Sequence, residues 1–173
     1  MNADMTYDGQ VLTWQGWGKF KATSGLPNLQ KPELQCNKDA AIPEGVYRVF
    51  LANQGQAQDT GKGRCELQPA WGIQTVPRGL AAGECEKYWA GWGWHRARLE
   101  PFDAATKLRC APLMRGGFFL HDSTKGYSHG CIEVEGRLFS MLENFRRSSS
   151  KKNTMTIKVA YVKGRPTNGG TKK

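Results

Sequence analysis

Short runs of β-prone residues recur along the chain, and turn-forming glycine and proline residues separate them. In most of these runs apolar and polar positions alternate, as expected of strands with one buried face. The runs lie at 6–23, 42–51, 91–99, 118–120 and 155–161. This pattern predicts a mainly β protein.

One segment follows a helical period instead. Leu138, Met141, Leu142 and Phe145 fall at i, i+3, i+4 and i+7, so that they share one face of a helix. The spacing predicts an amphipathic helix over about 136–146.

Length and composition are consistent with one domain. The chain has 173 residues, of which 39% are hydrophobic, and it can therefore bury a single core. Residues 164–173 are rich in Gly, Lys and Thr, and we expect them to form a flexible basic tail. The predicted domain is therefore 1–163.

The charge narrows the class of partner. Lysine and arginine outnumber aspartate and glutamate by 25 to 15, and the net charge of +10 favours an anionic partner, although it also serves solubility. A carboxylate-rich polymer such as a bacterial cell wall fits this charge. Nucleic acid is not expected, because no RNA-binding aromatic motif or groove-reading helix is visible. No apolar run approaches the roughly 18 residues of a membrane span, so no membrane insertion is expected. Residues 1–20 lack the plan of a secretory signal, so export would use no cleaved signal, or an original signal has been removed.

The five cysteines carry information about the compartment. None forms a Cys-x-x-Cys pair or a zinc-type spacing, and we expect no metal or other cofactor. With Cys131 set aside as a nucleophile, the other four can form two disulfides in three possible pairings. Two disulfides would place the protein in an oxidising space such as the periplasm, and five reduced thiols are the alternative. The four are Cys36, Cys65, Cys85 and Cys110.

Candidate chemistry is concentrated in 118–132. The apolar run 118–120 ends at His121, and the sequence Ser-His-Gly-Cys follows after a short polar loop. A cysteine nucleophile must be a thiolate to attack a carbonyl, and a nearby imidazole is the usual activator. The stretch predicts thiol catalysis by Cys131, with His121 or His129 as the base.

The Ser-His-Gly-Cys sequence, preceded by a strand that ends in histidine, resembles the catalytic domain of the L,D-transpeptidases (YkuD-type). The Pro-Glu-Gly-Val-Tyr strand entry at 43–47 and the end of the opening hairpin at 22–25 are also similar, so the resemblance covers about 6–162. It implies a β-sandwich or barrel with a short helix after the catalytic cysteine. Segments 94–101 and 115–121 look closest to the type VI secretion L,D-transpeptidase effectors.

The resemblance implies a role for each residue of the motif. Cys131 would attack a carbonyl of a peptidoglycan stem peptide, with His121 as the base. His129 would line the pocket and either tune the thiolate or help to bind the oxyanion. Backbone N–H groups of His129, Gly130 and Cys131 would form the oxyanion hole, with Ser128 as a supporting residue.

Several residues depart from the family pattern. Asp122 stands where the family usually has glycine or serine, and either its carboxylate or a backbone carbonyl would orient His121. Glu133 stands where the housekeeping enzymes commonly have arginine. Because only six residues separate His121 from Ser128, we expect a short or missing lid over the site.

Three further residues are candidates for substrate binding. Arg115 and Arg96 fit the carboxylates of stem peptides. Trp94 would belong to an aromatic shelf, although packing in the core is the alternative for the tryptophans of this region.

The implied function is acyl transfer through a thioester on peptidoglycan stems. Water as the acceptor would give L,D-carboxypeptidase trimming, and an amine would give a cross-link or the exchange of a D-amino acid. A short lid favours trimming and exchange. An effector of this kind is a secreted, monomeric toxin that acts in the periplasm of a rival, and its partners would be a secretion apparatus and a cognate immunity protein.

Two other interpretations are open. A papain-like peptidoglycan amidase also uses cysteine and histidine, but there the cysteine precedes its histidine and begins a long helix. A non-catalytic cell-wall-binding module would fit the charge and the aromatic residues, but it needs no Ser-His-Gly-Cys sequence.

Overall fold

The computed structural model describes residues 2–148 and 152–173. These residues form ten strands and three α-helices. The strands are β1 (Met5–Tyr7), β2 (Val11–Trp14), β3 (Gly18–Ser24), β4 (Gly45–Phe50), β5 (Asn53–Gln56), β6 (Ile73–Thr75), β7 (His95–Pro101), β8 (Phe118–His121), β9 (Ile132–Val134) and β10 (Thr154–Val159). The helices are α1 (Glu86–Trp89), α2 (Ala104–Lys107) and α3 (Arg137–Arg147). The mainly β prediction is confirmed.

Eight strands close into a barrel, in the order β4-β10-β1-β2-β3-β9-β8-β7, and β7 returns to β4. Closure depends on the length of β7, because its second half pairs with β4. Its first half pairs with β6, which carries β5 outward as a two-strand extension. The extension therefore leaves the barrel from the edge of β7 opposite β8, the strand that ends in His121.

The barrel interior and α3 share one apolar cluster. The predicted helical face is confirmed: Leu138 and Leu142 are fully buried, while Met141 and Phe145 pack against the same cluster from its edge. The observed helix differs by one residue at each end from the predicted range. Burying a leucine side chain contributes about 1.5–3 kcal/mol, so this face anchors α3 to the barrel wall that follows Cys131.

A second, smaller apolar cluster lies outside the barrel, in the segment between β5 and β7. Ala57, Leu67, Val76, Ala82 and Trp89 form it. Two bonds hold the segment together, since a disulfide joins Cys65 to Cys85 and the indole N–H of Trp89 donates to the carbonyl of Cys65 at 2.7 Å. The cluster gives an irregular stretch a fixed shape.

The cysteines form the two disulfides that the sequence predicts. Disulfides join Cys36 to Cys110 and Cys65 to Cys85, and Cys131 remains a free thiol. Two disulfides are typical of an oxidising, extracellular-type environment. In the described part of the chain, no helix is both long and apolar enough to cross a bilayer.

The expectation of a flexible tail at 164–173 is wrong. Thr167 is fully buried, its hydroxyl donates to the carbonyl of Ser24 at 2.7 Å, and its carbonyl accepts from the N–H of Ser24 at 3.0 Å. Further along, the N–H of Gly169 donates to the hydroxyl of Thr23 at 3.0 Å. This segment is fixed by hydrogen bonds to β3 rather than by apolar contacts. Its polar composition therefore gave no sign that it would be ordered.

Candidate active site

A row of five polar side chains crosses the outer wall of the barrel at the site. Directly paired residues of neighbouring strands share one face of a sheet, and the register pairs Thr23 with Glu133, Glu133 with His121, His121 with Arg96, and Arg96 with Gln74. All five are buried, because the small outer cluster and the 167–173 segment cover this face. We call these five residues the polar row.

Cys131 directly precedes β9, the strand that carries Glu133. The charge of Arg96, a member of the polar row, acts on its thiol. Cys131 and His121 line one cavity, so the structure brings the nucleophile and the base predicted from the sequence to one site.

His121 is held as a neutral imidazole. Burial lowers the pKa of its ring to about 4, and the carboxylate of Asp122 and a hydrogen bond to the backbone of Trp92 only partly oppose this. Among the described residues, its Nδ1 is one of two buried side-chain nitrogen or oxygen atoms with no hydrogen-bond partner. The bond to Trp92 therefore uses Nε2–H, which leaves Nδ1 as an open proton acceptor.

Cys131 is held as a neutral thiol. Desolvation raises the pKa of its thiol to about 11, against the lowering effects of a backbone hydrogen bond from Phe119 and of the charges of Arg96 and Arg115. With a neutral imidazole opposite, the resting pair is thiol and base rather than thiolate and imidazolium. Proton transfer to His121 must then accompany attack on a substrate.

The turn before Cys131 is braced by Ser128. Its hydroxyl donates to the carbonyl of Cys131 at 2.5 Å and accepts from the N–H groups of Gly25 at 3.1 Å and Gly130 at 3.3 Å. Gly130 has a φ of 110°, and a Cβ there would lie 2.5 Å from Nη2 of Arg115, so this position requires glycine. Because Ser128 engages the Gly130 N–H, the predicted oxyanion hole reduces to the N–H groups of His129 and Cys131.

Asp122 supports the site but does not hydrogen-bond to His121. Its carboxylate accepts from the backbone N–H groups of Trp94 at 2.6 Å and His95 at 2.7 Å, and it lies 2.7 Å from Nδ1 of His95. These bonds fix the strand entry that follows Trp92. The sequence offered two groups that could orient His121, the Asp122 carboxylate and a backbone carbonyl. In the structure the carbonyl of Trp92 contacts His121, and Asp122 fixes the segment in which Trp92 lies.

His129 lies at the cavity mouth. Its side chain is 72% exposed, and its Nδ1 lies 3.5 Å from the carboxylate of Asp39. This imidazole is open to solvent, whereas the thiol of Cys131 is buried. The position of His129 fits the pocket-lining role inferred from the sequence better than it fits the role of the catalytic base.

The cavity has a volume of about 360 Å³ and a wall that the sequence did not reveal. Besides the residues of the motif, it is lined by one group from the outer segment, Lys87, Tyr88 and Trp92, and by a second from the 123–128 loop, Lys125 and Tyr127. The first group comes from the outer segment that the disulfide stabilises. The loop between His121 and Ser128 is short, and the outer segment adds a wall to the cavity that the sequence did not predict.

Two predicted substrate-binding arginines bind the protein itself. Arg115 donates to the carbonyls of Gln35 at 2.6 Å, Ala41 at 2.8 Å and Ala40 at 3.0 Å. It therefore clamps the 35–41 loop against Gly130.

Arg96 is buried and donates to the side chain of Gln74 at 2.9 Å and the carbonyl of Gln68 at 2.8 Å. Its guanidinium stacks 4.7 Å from the rings of Trp92 and Phe119. It belongs to the polar row and acts on Cys131 through its charge. Trp94 is 58% exposed and lies under Arg78, so the tryptophan that lines the cavity is Trp92.

One group of potential metal ligands lies within the described residues. Asp59 is close to Cys65 and Cys85, whose sulfurs are joined to each other in a disulfide. This group therefore offers no thiolate pair to a cation.

Comparison with known proteins adds no relative to these observations. No family model matches the chain, and no curated protein matches it.

Proposed function

We propose that this protein is a cysteine enzyme that transfers acyl groups of peptidoglycan stem peptides, as an L,D-carboxypeptidase, as an exchanging L,D-transpeptidase, or as both. The observation that carries the proposal is the shared cavity of Cys131 and His121, which a free thiol and an imidazole with an unpartnered Nδ1 both line. The resemblance of the Ser-His-Gly-Cys sequence to the L,D-transpeptidases supports the choice of substrate.

The first half of the reaction forms a thioester. The sulfur of Cys131 attacks the carbonyl carbon that precedes the terminal D-alanine, and the thiol proton passes to Nδ1 of His121. The carbonyl oxygen becomes an oxyanion, and the N–H groups of His129 and Cys131 donate to it. The C–N bond then breaks, the imidazolium returns its proton to the leaving amine, and D-alanine departs.

The second half regenerates the thiol. Water or an amine attacks the thioester carbonyl, His121 takes its proton, and the C–S bond breaks as that proton returns to the sulfur of Cys131. Water gives a shortened stem, and a D-amino acid gives an exchanged stem. A cavity of about 360 Å³ holds the end of one stem with a small acceptor, which favours these outcomes over cross-linking.

The charge of the cavity suits carboxylate groups. Lys87 and Lys125 both line it, each within 6 Å of a tyrosine ring, Tyr88 and Tyr127 respectively. A stem peptide presents carboxylates at its end and on its side chains. The two lysines replace Arg96 and Arg115 as the cations that would contact them.

The cellular role that fits these features is a secreted toxin acting in the periplasm of a target bacterium. The two disulfides support an oxidising site of action. A secretion apparatus and a cognate immunity protein are the partners that such an effector would require.

The test is a product analysis of tetrapeptide-stem muropeptides by mass spectrometry. Wild-type protein should yield tripeptide stems, or exchanged stems when a D-amino acid is added, and Cys131→Ala should yield neither. Lys158→Ala, on the exposed face of β10, is the matched control and should behave as wild type. Unchanged muropeptides with wild-type protein whose single thiol is reduced would refute the proposal.

A further inference from the structure

We infer that Glu133 is a positioning residue that holds the 123–128 loop in the shape that forms one wall of the cavity. This loop joins the base to the nucleophile turn, and it supplies Lys125, Tyr127 and Ser128 to the cavity lining. The substrate contact assigned to the loop rests on the proposed function. The anchoring by Glu133 does not.

The carboxylate of Glu133 is fully buried and accepts four hydrogen bonds. The N–H of Gly126 donates to Oε1 at 2.8 Å, and the N–H of Lys125 donates to Oε2 at 3.1 Å. The hydroxyl of Ser123 also donates to Oε2, and that of Thr171 to Oε1. Three of the four donors belong to the 123–128 loop, so this one side chain sets the path of the loop.

All four donors are uncharged, and a carboxylate is the group that satisfies them. Each oxygen meets one backbone N–H, which cannot reverse its direction, and one hydroxyl, which can. A glutamine has one oxygen and one NH₂ group in the same places. Whichever way its amide is turned, the NH₂ group faces the N–H of either Lys125 or Gly126, and one backbone bond of the loop is lost.

The position of Glu133 explains its departure from the arginine of the housekeeping enzymes. Glu133 pairs with His121 in the polar row, but its carboxylate turns toward the loop and does not line the cavity. An arginine there would bring five donors to a place already occupied by four. The cationic role at the cavity passes instead to Lys125, which Glu133 holds through the backbone.

Thr171 provides a matched control. Its hydroxyl donates to Glu133 and lies 2.9 Å from the hydroxyl of Thr23, outside the 123–128 loop. Thr171→Val keeps the shape and removes one donor, while both backbone bonds of the loop remain. A general loss of the buried network would affect Thr171→Val and Glu133→Gln alike, whereas loop positioning predicts a selective effect of Glu133→Gln.

The experiment compares wild type, Glu133→Gln and Thr171→Val by three measurements. The first is hydrogen exchange at the amides of Lys125 and Gly126. The second is alkylation of the Cys131 thiol by neutral iodoacetamide and by anionic iodoacetate. The third is the kinetics of stem trimming, resolved into kcat and KM.

Loop positioning predicts that Glu133→Gln raises amide exchange by about tenfold at Lys125 or at Gly126, whichever N–H faces the NH₂ group, the factor expected for one lost hydrogen bond to a charged group. The preference of Cys131 for iodoacetate over iodoacetamide should fall, because Lys125 no longer holds its place. In the kinetics, KM should rise by about tenfold with a smaller change in kcat. Thr171→Val should leave the exchange at these amides and the reagent preference at wild-type values.

Two results would overturn the inference. Unchanged exchange and reagent preference in Glu133→Gln would show that the loop keeps its path without the carboxylate. Equal increases in exchange across the barrel strands would show a role in overall stability instead. Exchange and alkylation require no turnover, so a wild-type protein inactive on muropeptides would refute the proposed function and still leave Glu133 tested.

Discussion

The ionisation of Cys131 in wild type and in His121→Gln tests the neutral resting pair most directly. With a pKa of about 11, against an ordinary thiol value of 9.0, the fraction of thiolate at pH 7.5 is about 0.03% instead of about 3%. Alkylation of Cys131 should therefore be about 100-fold slower than that of an ordinary thiol. His121 is neutral above its pKa of about 4, so its replacement by glutamine should leave the inflection of the alkylation profile in place.

The assay is the rate of iodoacetamide alkylation between pH 5 and pH 11.5, followed by mass spectrometry. Cys131 is the free thiol among the described residues, so the added mass reports on this site, and Cys131→Ala gives the blank. We expect a single rise toward pH 11 in both proteins. A thiolate–imidazolium pair would instead react about 3,000-fold faster at pH 7.5, with an inflection below neutrality that disappears in His121→Gln, and this result would refute the argument.

Three further predictions concern the surroundings of the pair. As the pH is lowered from 6.5 to 4, His121 becomes protonated in the unfolded chain but not in the folded one, so the free energy of unfolding should fall by about 3 kcal/mol. Denaturant titrations at pH 7 and pH 4 measure this fall, which should be correspondingly smaller in His121→Gln. Asp122→Ala removes three hydrogen bonds to the carboxylate and should lower Tm by more than about 6 °C. Trimming should also be reduced, because the carbonyl of Trp92 shifts. An unchanged melting curve would contradict the bracing role of Asp122. Replacing Cys65 and Cys85 together by alanine opens a loop with a sequence separation of 20, which should lower the free energy of unfolding by about 3 kcal/mol. KM for trimming should rise as the cavity wall loosens. A wild-type KM would show that the wall does not depend on the disulfide.

The parts of this structure that the sequence predicted are those with a local signal. The alternation at 155–161 and the helical period of Leu138 and its partners depend on near neighbours, and β10 and α3 lie where these patterns placed them. The nucleophile and base are also close in sequence, and the resemblance of this stretch to the L,D-transpeptidases assigned their roles in the hypothesis. Periodicity and short spacing were sufficient for these features.

The rest of the site depends on contacts between distant segments. The wall at 87–92 has no periodicity, and its shape comes from a disulfide and a small apolar cluster. The segment Gly-Trp-Gly-Trp at 91–94 gives no local reason to prefer one tryptophan. In the structure it is the ring of Trp92 that packs edge-on against His121, with 5.8 Å between ring centroids. Thr167 is buried by hydrogen bonds that its own sequence neighbourhood does not indicate.

The polar row has a consequence for when the candidate site can form. Its members come from five strands, and the hydroxyl of Thr171 reaches Thr23 across 148 positions of the chain. Contacts of such high contact order form slowly, because the entropy of closing long loops must be overcome before they are made. A nascent chain therefore contains Cys131 and His121 well before it contains the packed face on which they work. Only when residue 171 has been synthesised and its hydroxyl has reached Thr23 of β3 is the buried face around the candidate site complete.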